Sequence, residues 1–211
     1  MKVKDLKGVM KEIALVISEN KDYLVALDQQ SGDGDLGISM NNGFSAAVDW
    51  IEKSEEEDIG LILNQCANCF NEAAPSSLGT ILTFGMKGMA KKLKGKRSAD
   101  VKDIVKAMEA GLENIMNKAG SKPGEKTVLD ALYPAVLAMK KETRFTEAIR
   151  VGRKAAEQGC ESTKNMKAVW GRAAYYGNNS IGLLDGGAAA GALIFKGIDS
   201  YMRKKEAGEY V

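Results

Sequence analysis

Residues 27–41 read LDQQSGDGDLGISMN, and three of them are aspartates: Asp28, Asp33 and Asp35. A carboxylate is a hard oxygen ligand. Three held close together at neutral pH repel one another unless a cation lies between them. Gly34 separates Asp33 from Asp35, so the backbone can fold tightly and turn both side chains to one centre. Asp28 ends the preceding helical stretch and can reach back. This donor set suits Mg²⁺ or Ca²⁺. A calcium EF-hand fails on register, because the twelfth position is Phe44 counted from Asp33 and Ser39 counted from Asp28, and neither is the required bidentate glutamate. With so few protein ligands the ion would keep waters or take phosphate oxygens, as in Mg²⁺-nucleotide sites. A helix starting at Gly37-Ile38-Ser39 would offer free amides and a positive dipole end to those phosphates. The competing reading is structural: Asp and Gly are turn formers, and the cluster would then be a solvated turn with capping aspartates.

Composition narrows the chemistry further. The chain of 211 residues contains no histidine. Imidazole catalysis, a phosphohistidine intermediate and histidine metal ligation are therefore excluded within it. Net charge is +2, which leaves no large field for nucleic acid. The one dense basic run, residues 91–97, reads as a solvated helix end. Cys66 and Cys69 form a C-x-x-C, but at helical spacing and without a second pair, so buried thiols are expected rather than a redox or zinc site. The first ten residues are charged and carry no apolar leader, and no apolar run reaches membrane-spanning length. A cytoplasmic protein with reduced thiols, no membrane partner and no nucleic-acid partner is expected.

The elements that must position the aspartates are helical almost throughout. Expected helices cover residues 3–28, 37–53, 58–73, the segment from PSSLG to 93, the segment after 98–100 to 118, a segment from about 126 that tolerates Pro134, 146–166 and 186–205. No alternating run supports a sheet. The expectation is an all-α fold: one domain over 1–211, an eight-helix antiparallel up-and-down bundle or barrel. Three further turns punctuated by glycine, proline or serine sit at helix starts: PSSLG at 75–79, GSKPGEK at 120–126, and YYGNNSIGLLDGG at 175–187. None is a Walker A loop, since the Gly-Lys-Ser/Thr ending is missing. Taken singly, the first two read as plain caps. The acidic loop follows the first helix, and these three follow the third, fifth and seventh. Alternate connections of an up-and-down bundle share one end, so all four turns would meet on one rim, with Arg172 as a phosphate or base contact.

LDQQSGDGDLGISMNNGF, GEKTVLDALYPA and GRAAYYGNNSIGLLDGGA, in this order and spacing, resemble the signatures of the L subunit of dihydroxyacetone kinase over essentially the whole chain. The resemblance implies an eight-helix antiparallel barrel that holds ADP or ATP through two Mg²⁺ ions at one end. It makes Asp28, Asp33 and Asp35 the Mg²⁺ ligands and the catalytic residues. Leu36, Gly37, Ile38 and Ser39 would meet the phosphates, joined by Ser77 and Leu78 from the next turn. Gly120, Val128, Arg172, Asp185, Gly186 and Gly187 would frame the nucleoside. The implied partner is a K subunit that binds the sugar covalently on its own histidine, and in phosphotransferase versions an M subunit recharges the ADP. A homodimer is compatible with this reading. The implied activity is phosphoryl transfer from Mg-bound ATP to dihydroxyacetone or a similar small ketose; the alternative is a Mg-ADP-binding regulatory subunit without turnover. Leu36 stands where the family usually has histidine, Val128 where it has methionine, and Asp185-Gly186-Gly187 where it has Asp-Pro-Gly.

Overall fold

A computed structural model of the chain describes residues 1–210. Nine α-helices run through them: α1 (Val3–Glu19), α2 (Lys21–Asp28), α3 (Leu36–Lys53), α4 (Ile59–Ala73), α5 (Ser77–Leu93), α6 (Val101–Ala119), α7 (Leu129–Met139), α8 (Phe145–Ser162) and α9 (Gly186–Glu206). Short 3-10 segments cover Thr163–Asn165 and Arg172–Ser180. The all-α expectation holds.

The expected first helix is two. Asn20 has φ −108° and ψ 14°, and its side-chain amide donates to the Val16 carbonyl at 2.7 Å. An asparagine that bonds its own backbone in this way competes with the helical ladder and ends it. The chain resumes at once as α2, which carries it to Asp28. The sixth expected helix starts later than expected, at Leu129, because Lys126 adopts a left-handed φ of 60° that no helix accommodates. Pro134 sits inside α7. It cannot donate to the Asp130 carbonyl, and Gly159 of α8 lies so close to that carbonyl that a Cβ there would fall 2.0 Å from it.

Each long helix buries one stripe. Leu6, Val9, Ile13, Val16 and Ile17 of α1 are buried as the spacing predicts, as are Ile59, Ile62, Leu63, Cys66 and Phe70 of α4. Cys69 is a partial correction: it is only half-buried. Burial pushes the Cys66 thiol up to about 12 and the Cys160 thiol up to about 11, so both remain protonated and unreactive near neutrality. Among the described residues, no helix is long and apolar enough to cross a membrane.

The helices close into a ring in the order α1, α3, α4, α5, α6, α7, α8, α9 and back to α1, with the α6–α7 seam the thinnest. An apolar cavity of about 280 Å³ lies inside, walled by side chains such as Met10, Phe44, Leu82, Leu112 and Phe195. Up-and-down order sends the starts of α3, α5, α7 and α9 to one rim, together with the end of α2.

The opposite end is locked by charge. Asp5 is 6% exposed and accepts hydrogen bonds from Tyr201 Oη at 2.7 Å, Lys205 Nζ at 2.6 Å and the Lys2 amide at 2.6 Å. Glu12 accepts from Ser200, Lys204 and Tyr210. These contacts zip α1 to α9 and close the ring. Burial alone would raise the Asp5 carboxyl, but the bonds from Lys205, the Lys2 amide and Tyr201 outweigh it and hold the carboxyl at about 2. A carboxyl depressed in the folded state contributes stability above its unfolded value, and loses that contribution as pH falls towards 2. Asp5→Asn should therefore destabilise the fold by about 2 kcal/mol at pH 7. In urea melts run from pH 7 to pH 2.5, the gap to the parent protein should hold down to about pH 5 and narrow below it. A gap that stays constant over that range would contradict the assignment.

Candidate functional site

The acidic loop joins α2 to α3. The Asp28 carbonyl accepts from the Gly32 amide at 2.5 Å, and its carboxylate accepts from the Gly34 amide at 2.8 Å. Gly34 has φ 77°, the left-handed conformation that glycine adopts without strain. Gly32 is pressed against Asp28, and a Cβ there would lie 2.2 Å from Asp28 Oδ1. This folding brings one oxygen each of Asp28, Asp33 and Asp35 within 4.8 Å of one another. Asp33 and Asp35 are exposed and Asp28 is half-buried.

Asp35 precedes α3, yet its side chain accepts no capping bond from the helix. The reading of the loop as a turn with capping aspartates fails on that point. The Asp35 carboxyl is raised above the usual carboxylate range, first by burial and then by the negative charges of Asp33 and Asp28, against the pull of Arg172. Arg172 answers the excess charge directly: its Nη2 lies 2.6 Å from Asp33 Oδ2. The set is three hard oxygen donors open to solvent, with one guanidinium beside them, and it fits a hard divalent cation.

The neighbouring helix starts form the wall behind the loop. Leu36 is buried, and Gly186 lies so close that a Cβ there would fall 2.7 Å from Leu36 Cδ2. Only the Leu36 backbone can therefore serve a ligand at the start of α3. Gly37 is buried and Ile38 is half-exposed. Ser39 Oγ lies 2.6 Å from Ser76 Oγ, which also accepts from the Gly79 amide at 3.1 Å as the cap of α5. Ser77 is exposed and Leu78 half-buried on the first turn of α5. Asp185 caps α9 by accepting from the Ala188 amide at 2.7 Å. Burial pushes its carboxyl up to about 6, against the pull of the Ala188 amide and the Lys126 ammonium. Gly187 packs on buried Val128, and Gly120 lies against the indole of Trp170. All the residues expected from the sequence thus lie at one rim.

The family profile described as the DAK2 domain matches residues 30–200. The chain belongs to the DAK2-domain family. It is 33% identical over 179 residues to the ADP-binding subunit DhaL of a PEP-dependent dihydroxyacetone kinase from Listeria innocua, covering 85% of this chain and 86% of that subunit. It is 29% identical over 180 residues to the DhaL subunit of Escherichia coli, covering 83% of this chain and 85% of that protein. In structure it is similar to the dihydroxyacetone kinase of C. freundii in complex with AMP-PNP and Mg²⁺, with a TM-score of 0.74 at 21% identity over 92% of this chain and 33% of that kinase. That likeness establishes the fold. The chain spans about a third of the solved kinase's length.

Two residues of the expected rim turns take parts in this DAK2-domain chain that the sequence did not assign to them. Ser76, next to the expected Ser77, ties α5 to α3. Lys126 is 4% exposed, although lysine in a Gly-rich turn reads as surface. Ser76 carries the ordinary signature of a helix cap; nothing in the local sequence signals the burial of Lys126.

Gly32→Ala should push the Asp28 carboxylate out of the triad. Mn²⁺ affinity, read by electron paramagnetic resonance, should fall about tenfold or more, while circular dichroism stays unchanged. Parental Mn²⁺ affinity in that variant would show that Asp28 is not a ligand.

Proposed function

We propose that this chain is the nucleotide-binding phosphoryl-transfer subunit of a dihydroxyacetone (glycerone) kinase, acting with a K-type subunit that holds the ketose. One observation carries the reading: the carboxylate triad stands at the start of α3, where no side chain caps the helix, with Arg172 against Asp33. The similarity to DhaL subunits described as ADP-binding supports it.

In this reading Asp28, Asp33 and Asp35 hold Mg²⁺, a pair of ions as in the family resemblance, and the metal supplies charge neutralisation at the phosphate oxygens. The amides of Leu36, Gly37 and Ile38 point along the α3 dipole and orient the terminal phosphates. Arg172 exchanges its carboxylate partner for a phosphate oxygen, a bidentate match for its planar fork. Ser39 and Ser76 brace α3 against α5 so that the loop and the α5 turn stay in register. Ser77 and Leu78 flank the phosphates. Gly120, Val128, Asp185, Gly186 and Gly187 leave a smooth wall for the nucleoside. Transfer breaks the bond between phosphorus and the ADP oxygen and forms one to the ketose hydroxyl oxygen. The hydroxyl proton leaves to a base on the partner, since the carboxylates of this chain are engaged as ligands and it has no histidine. The contribution of this chain is positioning and electrostatics. The relatives are described as PEP-dependent; in this reading an M-type phosphotransferase subunit recharges the bound ADP, in the cytoplasm.

Isothermal titration with ADP and ATP tests this. Binding should require Mg²⁺, and Asp33→Ala should weaken it at least about a hundredfold with helicity retained. Adding a K-type subunit and dihydroxyacetone should then yield the phosphorylated ketose. Mg²⁺-independent binding, or parental affinity in the Asp33 variant, would remove the triad from the site. Tight Mg-ADP binding without turnover in the reconstituted pair would leave a regulatory subunit instead.

A further inference from the structure

Lys126 holds an ammonium in an unusual place. Its Nζ donates to four backbone carbonyls: Thr163 at 2.8 Å, Met166 at 3.3 Å, Ser180 at 2.7 Å and Leu183 at 2.5 Å. Among the described residues, no carboxylate lies within ion-pairing distance of it. A buried charge is costly unless hydrogen bonds compensate it, and here main-chain carbonyls supply all of them. Burial lowers its affinity for the proton, and Asp185 partly restores it. The backbone is unusual as well: Lys126 is the sole non-glycine residue at positive φ, 60°, among the described residues. A strained conformation persists where the surroundings over-determine it, and such positions cluster at functional sites.

The four carbonyls share a pattern. Met166 and Leu183 stand at the two ends of the excursion 166–183, while Thr163 precedes it and Ser180 lies within its last turn. One ammonium therefore cinches the mouth of a compact surface loop. The loop is closed again by the Gly182 amide on the Lys164 carbonyl at 2.7 Å, and by the Ala168 amide on Ser180 Oγ at 2.9 Å. Within this loop Arg172 lies 2.6 Å from Asp33. The loop has few other anchors to the barrel: the Trp170 indole on Glu125 and the Val169 amide on the Glu125 carbonyl, next to Lys126 itself.

We propose that Lys126 is a positioning residue. By drawing together the two ends of the 166–183 loop it sets where the Arg172 guanidinium stands over the carboxylate triad, and so controls nucleotide affinity from a place its own ammonium does not share with the ligand. The effect on affinity rests on the proposed nucleotide site; the effect on the loop does not. Lysine suits the task because three N–H donors on a flexible stem can serve several carbonyls from one point.

The test uses the full chain as Lys126→Met, Arg172→Ala and the double variant. Methionine keeps the unbranched stem and removes the donors. Trypsin cleavage after Lys167 or Arg172, followed by mass spectrometry, should be about tenfold faster in Lys126→Met than in the parent. Mg-dependent ADP affinity should fall about tenfold in Arg172→Ala and by a similar factor in Lys126→Met. The double variant should be no weaker than Arg172→Ala alone, because the lysine acts through the arginine. Losses that multiply, or cleavage at the parental rate, would overturn the proposal. So would loss of helicity throughout Lys126→Met, since the effect is confined to the loop. If the parent itself binds no Mg-ADP, the functional reading falls, while the cleavage comparison still decides the role of Lys126 on the loop.

Discussion

Three carboxylates that share a few ångströms cannot all stay ionised without positive charge facing them, and the architecture of the rim answers to that constraint. Asp28, Asp33 and Asp35 are forced together by a backbone that turns at Gly34 and presses Gly32 on Asp28. The Asp35 carboxyl is raised, first by burial and then by the charges of Asp33 and Asp28. Relief comes from two directions. Arg172 reaches over from the 166–183 loop, and the positive end of α3 lies immediately after the triad. The helix starts at this rim are not equivalent. Ser76 takes one amide at the start of α5 and Asp185 one at the start of α9. At α3 the adjacent aspartate leaves the amides alone. The carboxylates and the free amides therefore face the same space with opposite sign, the arrangement a metal-bound polyphosphate needs.

The up-and-down topology makes this juxtaposition possible. Alternate connections of such a ring fall on one end, so a loop following α2 meets turns that follow α4, α6 and α8. The contacts that seal the meeting are small ones: Leu36 against Gly186, Ser39 against Ser76, Gly187 against Val128, Trp170 against Gly120. Each joins segments far apart in sequence. A Cβ at 186 would push on the tip of the Leu36 side chain, and one at 187 would press on Asp185 and the Val128 backbone.

Much of this was legible from the residues. Helical periodicity located every long helix to within a few positions, because an amphipathic stripe of period 3.6 is a global signal that survives local error. The acidic loop declared itself through residue type and spacing, and counting helices put it on the rim with the glycine turns. What escaped has a common cause. The break at Asn20 depends on a single side chain bonding its own backbone, a choice that the surrounding apolar pattern does not record. The burial of Lys126 depends on carbonyls up to 57 residues away. A lysine between Glu125 and Thr127 carries no mark that four carbonyls will converge on it. Local sequence shows which elements form; it is silent where one element is held by the backbone of another.

The two ends of the barrel use the same residue types to opposite effect, and the direction of their titration separates the roles. At the closed end, Asp5 and Glu12 meet lysines and hydroxyls that outweigh the cost of burial, and both carboxyls are depressed. They stabilise the α1–α9 seam and have charge to spare for nothing else. At the rim, Asp35 and Asp185 are raised. Burial is the first cause for both, and at Asp35 the neighbouring carboxylates add to it. Depressed carboxyls thus stand at one pole and raised ones at the other. A chain without histidine has no imidazole with which to titrate a substrate near neutrality. This one holds charge in a fixed pattern, and under the proposed function the reactive group comes from the partner subunit.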